Sequence, residues 1–193
     1  MLTMPLPEPA ARQPLHNRQY DFRGYQRDDG LWDIEGRIVD TKTYAFANEH
    51  RGQIEPGTPV HDMHVRLTLD DNFVIRDIHA VTDSSPFAIC PGATPNYRKL
   101  IGARIAPGWR DLLKRELGGT EGCTHITEML MAIGTVAFQT IIPMLQKKSN
   151  KPATPGKRPR LLNTCHAFSA DGPVVQRLWP EFWTGDDAST GSR

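Results

Sequence analysis

His61-Asp62-Met63-His64-Val65-Arg66-Leu67-Thr68-Leu69 runs directly into Asp70-Asp71-Asn72, and this junction decides the fold. His61, Met63, Val65, Leu67 and Leu69 fall on one face at the two-residue period of a strand, so His61 points the same way as the apolar set. Asp70-Asp71-Asn72 reads as a hairpin turn. A strand over residues 73–81 then returns antiparallel, and its imperfect alternation predicts a bulge.

Upstream, Trp32, Ile34 and Ile38 alternate with Asp33, Glu35 and Arg37, which gives a further strand with one buried face. The wider stretch 15–40 interleaves charged residues with Tyr20, Phe22, Tyr25 and Trp32. Residues 40–44 continue extended, and residues 48–59 form a loop broken by Gly52, Pro56, Gly57 and Pro59. Downstream, Cys90 sits in a loop just before a short helix that begins near Pro95. Pro107 opens a second helix carrying Trp109, Leu112, Leu113 and Leu117, and Gly118-Gly119 ends it. A glycine-rich turn, Gly118-Gly119-Thr120-Glu121-Gly122, then delivers Cys123 and His125 to the start of a long helix. Ile126, Met129, Leu130, Ile133, Val136 and Ala137 make one stripe on that helix, and the stripe must cover the sheet. The expected class is α+β: a small three-stranded antiparallel sheet covered on one face by helices from the 95–145 region.

The 193 residues divide by composition into an extended Pro-rich arm (1–14), one α+β domain (15–146), a basic Pro-rich linker (147–160), a segment expected to dock back on the domain (161–184) and a polar tail (185–193). A formal net charge of +1 and 38% hydrophobic residues give no global preference for nucleic acid or a membrane surface. The basic linker lacks interleaved aromatics, so nucleic acid is not an expected partner. No run approaches the roughly 18 apolar residues of a membrane span, and the N-terminus lacks the features of a secretory signal, so no membrane association and a cytoplasmic location are expected. Three cysteines without an export signal point to thiol or metal chemistry rather than a disulfide framework.

Cys123 precedes the long helix, where free amides and the helix dipole favour a thiolate. The competing reading is a buried structural cysteine. Around Gly57-Thr58-Pro59-Val60-His61-Asp62-Met63-His64-Val65-Arg66-Leu67 the pattern resembles the IscU/NifU-type iron–sulfur scaffolds, with His61 at a scaffold cysteine position. The resemblance continues through Asp77-Ile78-His79-Ala80 to Cys90 and on to Cys123, covering residues 57–145. It implies an IscU/NifU-like fold and a shared site at His61, Cys90 and Cys123. Met63 replaces the scaffold's aspartate, and His125 follows the last cysteine where the scaffold has a histidine before it. As a whole the chain looks like a bacterial family of unassigned function.

Two thiolates and an imidazole suit zinc or iron, with His125 as fourth ligand or with the fourth position left open for a substrate. Cys165-His166 is a further candidate. The N-terminal module adds Arg27, Asp29 and Lys42 as groups for a polar small-molecule substrate, and Asp33 or Glu35 as a general base; surface ion pairs are the alternative for all of them. Two functions follow: a metal-dependent lyase or hydrolase acting on a small molecule, or a non-catalytic metal, iron–sulfur or sulfur carrier. A homodimer is compatible with either.

Overall fold

The computed structural model describes residues 6–149 and 156–185. Part of the expected arm (1–5), part of the basic linker (150–155) and nearly all of the tail (186–193) therefore lie outside the described residues. The chain divides into two compact units, Met1–Lys148 and Ser149–Arg193.

In the first unit, strands β1 (His16–Gln26), β2 (Trp32–Lys42), β5 (Pro59–Leu69) and β6 (Ile75–Ser84) form one antiparallel sheet in the order β1-β2-β5-β6. β3 (Phe46–Asn48) and β4 (Gly52–Ile54) form a separate small hairpin that reaches into the stretch 48–59 expected to be loop. The class is α+β, and the expected three strands become four in the main sheet. The missed strand is β1. It is an edge strand exposed along nearly its whole length, so it shows no apolar face, and only its unbroken register with β2 reveals it. The hairpin after β5 is built by Asp70, whose Oδ1 accepts from the Asn72 and Val74 amides at 2.8 and 2.9 Å. β6 carries the expected irregularity, with register shifts between Asp62 and Met63 and between Thr68 and Leu69.

Cross-strand register arranges the sheet's inner face in rows. Trp32 lies opposite Leu69, Ile34 opposite Leu67, Gly36 opposite Val65 and Ile38 opposite Met63. All of these side chains but the glycine's are buried. The helices covering them are α1 (Trp109–Leu117) and α2 (Thr124–Ser149), joined to β6 by a 3-10 helical segment, Cys90–Leu100, which begins at Cys90 itself rather than near Pro95. α2 buries Ile126, Met129, Leu130, Ile133, Ala137 and Ile141 against the sheet. Gly36 permits the close approach: a Cβ there would stand 2.9 Å from the Phe22 ring and 3.5 Å from Ile133 Cδ1. Trp109 fixes α1 to α2 by donating its indole N–H to the Leu130 carbonyl at 2.8 Å.

The expectation that no segment has membrane-span character needs correcting. Residues Thr124–Lys148 of α2 are long and apolar enough to cross a bilayer by length and composition. Much of that apolarity packs on the sheet, as the buried stripe requires. In the second unit, α3 (Pro173–Leu178) buries Val175, and Phe168 stacks on Trp179 with ring centroids 5.4 Å apart.

Candidate metal centre

On β2 and β5 the inner-face rows are apolar as far as Ile38–Met63. Beyond Tyr20–Ile38–Met63 the register places Arg18, Asp40 and His61 side by side on β1, β2 and β5. The row thus turns polar where the sheet passes under the N-terminal end of α2, which supplies Cys123, His125 and Glu128. This location, not any local motif, makes the site.

Asp40 is its centre and is 2% exposed. Its Oδ1 accepts from Arg18 Nε at 2.7 Å and lies 3.1 Å from His16 Nε2. Its Oδ2 accepts from an Arg18 terminal nitrogen at 2.8 Å and lies 2.9 Å from His61 Nδ1 and 3.5 Å from His125 Nε2. Burial by itself would raise this carboxyl, but the hydrogen bonds and charges of Arg18 and His61 prevail and bring its pKa down to about 2. Arg18 also reaches Glu128 at 3.3 Å, linking the row to α2.

The rings of His61 and His125 lie 3.9 Å apart between centroids, tilted by 33°. Burial lowers the pKa of both, against the pull of Asp40 on each, and His61 and Arg18 add to the lowering at His125. Both imidazoles are therefore held towards the neutral, lone-pair-bearing form that binds metal. Asp40, His61 and His125 each offer one ligand atom, and the three atoms lie within 4.8 Å of one another. Cys123 Sγ stands 3.7 Å from His125 Nδ1 and 3.6 Å from Met63 Sδ.

Cys123 and His125 are held in place from below by Tyr97, a residue the sequence reading passed over. Its hydroxyl donates to the Cys123 carbonyl at 2.9 Å, accepts from the Cys123 amide at 2.8 Å and lies 3.1 Å from Thr127 Oγ1. Buried in this way, the phenol is pushed up to about 12. Asp40 was passed over too, although its parity with Trp32, Ile34 and Ile38 placed a carboxylate on the buried face of β2. That misplaced polarity was the available signal.

The structure gathers the other expected site residues only in part. His61 and His125 come together in one group of potential metal ligands, with Cys123 Sγ beside His125, and neither Cys123 nor Cys90 belongs to such a group among the described residues. Asp33 and Glu35 point to the opposite face of the sheet from Asp40; Asp33 accepts from Thr68 Oγ1 at 2.7 Å and Glu35 pairs with Arg66 at 2.8 Å. Arg27 and Asp29 pair with each other at 2.6 Å in the β1–β2 turn, at the far end of the sheet from Asp40. Lys42 lies near the site end of β2, its Nζ 4.3 Å from the Phe46 ring centroid and 5.1 Å from that of Tyr44. Cys165 is exposed in the second unit.

A second ligand group, Asp62, His64 and Asp83, lies on the outer face. There His64 Nε2 is 3.2 Å from a carboxylate oxygen of each aspartate, and Asp62 is held by both Nε and a terminal nitrogen of Arg37 at 2.9 and 2.7 Å. This group is more exposed than the inner one, and its Arg37 pairing gives Asp62 a structural partner already.

No curated protein and no solved structure matches the chain. The strands of the main sheet, Tyr97, Cys123, His125 and most of α2 all fall within one matched region, and by that match over residues 16–139 the chain belongs to the family described as "Protein of unknown function (DUF2889)".

Proposed function

We propose that this protein is a metal-dependent enzyme acting on a small molecule, with zinc or iron(II) held by Asp40 Oδ2, His61 and His125. The observation that carries the reading is the approach of these three ligand-type side chains to within 4.8 Å of one another at the polar end of an otherwise apolar row. Two imidazoles and one carboxylate are a set that zinc and non-haem iron(II) accept while keeping positions open. Such an ion acts as a Lewis acid on a substrate oxygen, as lyase and hydrolase chemistry requires. Arg18 keeps Asp40 ionised and oriented through bonds to both carboxylate oxygens, of which Oδ2 also faces the histidines. Lys42 and His16, at the same end of the sheet, are the nearby groups suited to an anionic substrate. A cytoplasmic location belongs to the same proposal.

Elemental analysis of protein purified without an affinity tag tests it. One zinc or iron per chain is expected, lost in His61→Ala and His125→Ala. Protein that is metal-free as isolated and takes up neither zinc nor anaerobic iron(II) on titration would overturn it.

A second reading rests on a separate geometry: Cys123 Sγ, His125 Nδ1 and Nε2, and Asp40 Oδ2 follow one another at 3.7 and 3.5 Å. This is the order of a nucleophilic thiol, its base and the carboxylate that orients the base. Metal-free protein in which Cys123 alkylates much faster than Cys90 and Cys165 would select it. The IscU/NifU-like carrier reading draws support from Cys123 beside His125. A brown cluster formed anaerobically and transferable to an apo-ferredoxin would restore it.

A further inference from the structure

The two edges of the main sheet are guarded unequally. β6 is interrupted by two register shifts, and its start is covered by backbone bonds to the segment after the 3-10 helix, with Ile75 donating to Ala103 and accepting from Gly102, both at 2.9 Å. β1 has none of these protections. It pairs with β2 over its full eleven residues without a bulge, contains neither proline nor lysine, and is exposed at every position except the half-buried Phe22. A long, regular, open edge of this kind is a template for another strand.

We infer that β1 pairs antiparallel with β1 of a second copy of this chain, about a two-fold axis through Phe22 and normal to the sheet. The sequence of β1 selects both the occupant and the register. A two-fold pairing that keeps the helices of both copies on the same side must centre on a residue, because directly opposed residues share a face. Centred on Asp21, the strand sets two aspartates opposite each other; centred on Arg23, it sets two arginines opposite each other. Centred on Tyr20, Asp21 faces only Gln19. Centred on Phe22, each Asp21 faces Arg23 of the second copy, and opposite charges directly across a pair of strands are the favourable arrangement.

The same register extends the apolar row. Tyr20 is 39% exposed and stacks on Phe22 with ring centroids 6.0 Å apart, so the two Phe22 rings meet across the axis and are flanked by the two Tyr20 rings. Each Tyr20 then lies opposite Gly24 of the second copy, over which Thr140 of that copy's α2 sits. On the outer face Gln19 lies opposite Tyr25.

The pairing also bears on the site, an extension that rests on the metal-centre reading. Within one chain Arg27 and Asp29 are at the wrong end of β1 from Asp40. Centred on Phe22, the pairing places Gln26 of the second copy opposite Arg18, and so brings the Arg27–Asp29 turn of that copy to the edge of the row holding Arg18, Asp40 and His61. The polar groups of the turn thereby become lining for a substrate bound at the neighbouring copy's site.

Sedimentation equilibrium reads the pairing without reference to metal. The wild-type chain is expected at twice its 21.6 kDa. Asp21→Arg and Arg23→Asp each place like charges across the axis and are expected to be monomers, while the double variant Asp21→Arg/Arg23→Asp restores the opposition and is expected to dimerise again. Both substitutions are at exposed edge positions, and circular dichroism checks that the chains stay folded. A second variant fixes the register: Gln19→Cys/Tyr25→Cys should form a covalent dimer on mild oxidation, because those positions are about 20 Å apart within one strand but face each other across the axis. A monomeric wild type, dimeric single charge variants, failure of the double variant to recover, or no covalent dimer beyond that of the wild type would overturn the inference. Metal content is measured on the same samples, so loss of dimer with metal retained separates the failure of one reading from the failure of the other.

Discussion

Asp40 Oδ2 lies 2.9 Å from His61 Nδ1 across adjacent antiparallel strands, at the point where an apolar row of the sheet gives way to a polar one. The contact follows from register, and it makes the carboxylate common to Arg18, His16, His61 and His125. Each consequence can be measured separately.

The ligand set predicts a specific pattern of loss. Zinc titration of metal-free protein should give one tight site, abolished in His61→Ala and in His125→Ala. Cys90→Ala and Cys165→Ala should bind as wild type does, because Cys90 lies outside the group and Cys165 belongs to the other unit. Loss of binding in Cys90→Ala with retention in His125→Ala would restore the scaffold-type site in place of this one.

Asp40→Ala should destabilise the metal-free protein by about 2 to 3 kcal/mol, because it leaves Arg18 and His61 without their acceptor; the figure is set below that for a fully buried pair since Arg18 is 33% exposed. Urea unfolding followed by tryptophan fluorescence measures it. A change within about 0.5 kcal/mol would show that the interaction offsets only its own desolvation.

The two imidazoles predict acid sensitivity of the metal-free protein. Both have folded pKa values below their ordinary 6.5, so the unfolded chain binds more protons as pH falls below that value. Their contribution to stability is complete above pH 6.5 and is lost as the pH falls through their folded pKa values. Asp40, depressed to about 2, adds a separate loss that begins only below the ordinary carboxylate value of 3.8. The midpoint of thermal unfolding should therefore fall as the pH drops below 6.5 in the wild type, and the slope should flatten in His61→Gln/His125→Gln.

Tyr97→Phe is predicted to weaken both the fold and the site. The hydroxyl accepts from the Cys123 amide and donates to its carbonyl, which also accepts from the Thr127 amide, so its removal leaves the part-buried Cys123 amide without a partner at a cost of about 1 to 3 kcal/mol. Since Cys123 and His125 ride on the same turn, zinc affinity should fall as well, whereas Ile133→Ala should cost about 2 to 5 kcal/mol of stability with affinity unchanged. Calorimetric titration and urea unfolding on the two variants separate positioning from packing.

Much of the architecture could be read from periodicity. Met63, Val65, Leu67 and Leu69 repeat by two and lie on the buried face of β5; Ile126, Met129, Leu130, Ile133 and Ala137 repeat by helical spacing and are buried on α2. β1 escaped because an edge strand has too little buried surface to impose alternation, and its row partners Arg18, Tyr20 and Phe22 differ in character. The hairpin Phe46–Asn48 with Gly52–Ile54 escaped for a related reason: its strands are too short to show a period.

For the site, the sequence by itself determined the residue types and the direction of His61, because a strand's alternation is local and a histidine in phase with an apolar set must face the core. It likewise placed Cys123 and His125 at the beginning of a long helix, because glycines end one helix and permit the turn into the next. Only the tertiary structure decided which of these residues meet. Register across β1, β2 and β5 made Asp40 the centre and Arg18 its partner, and the way α2 crosses the sheet set His125 over His61. Period fixes which way a side chain points, whereas the distance between two side chains depends on strand pairing and helix placement, which are settled by the packing of the whole core.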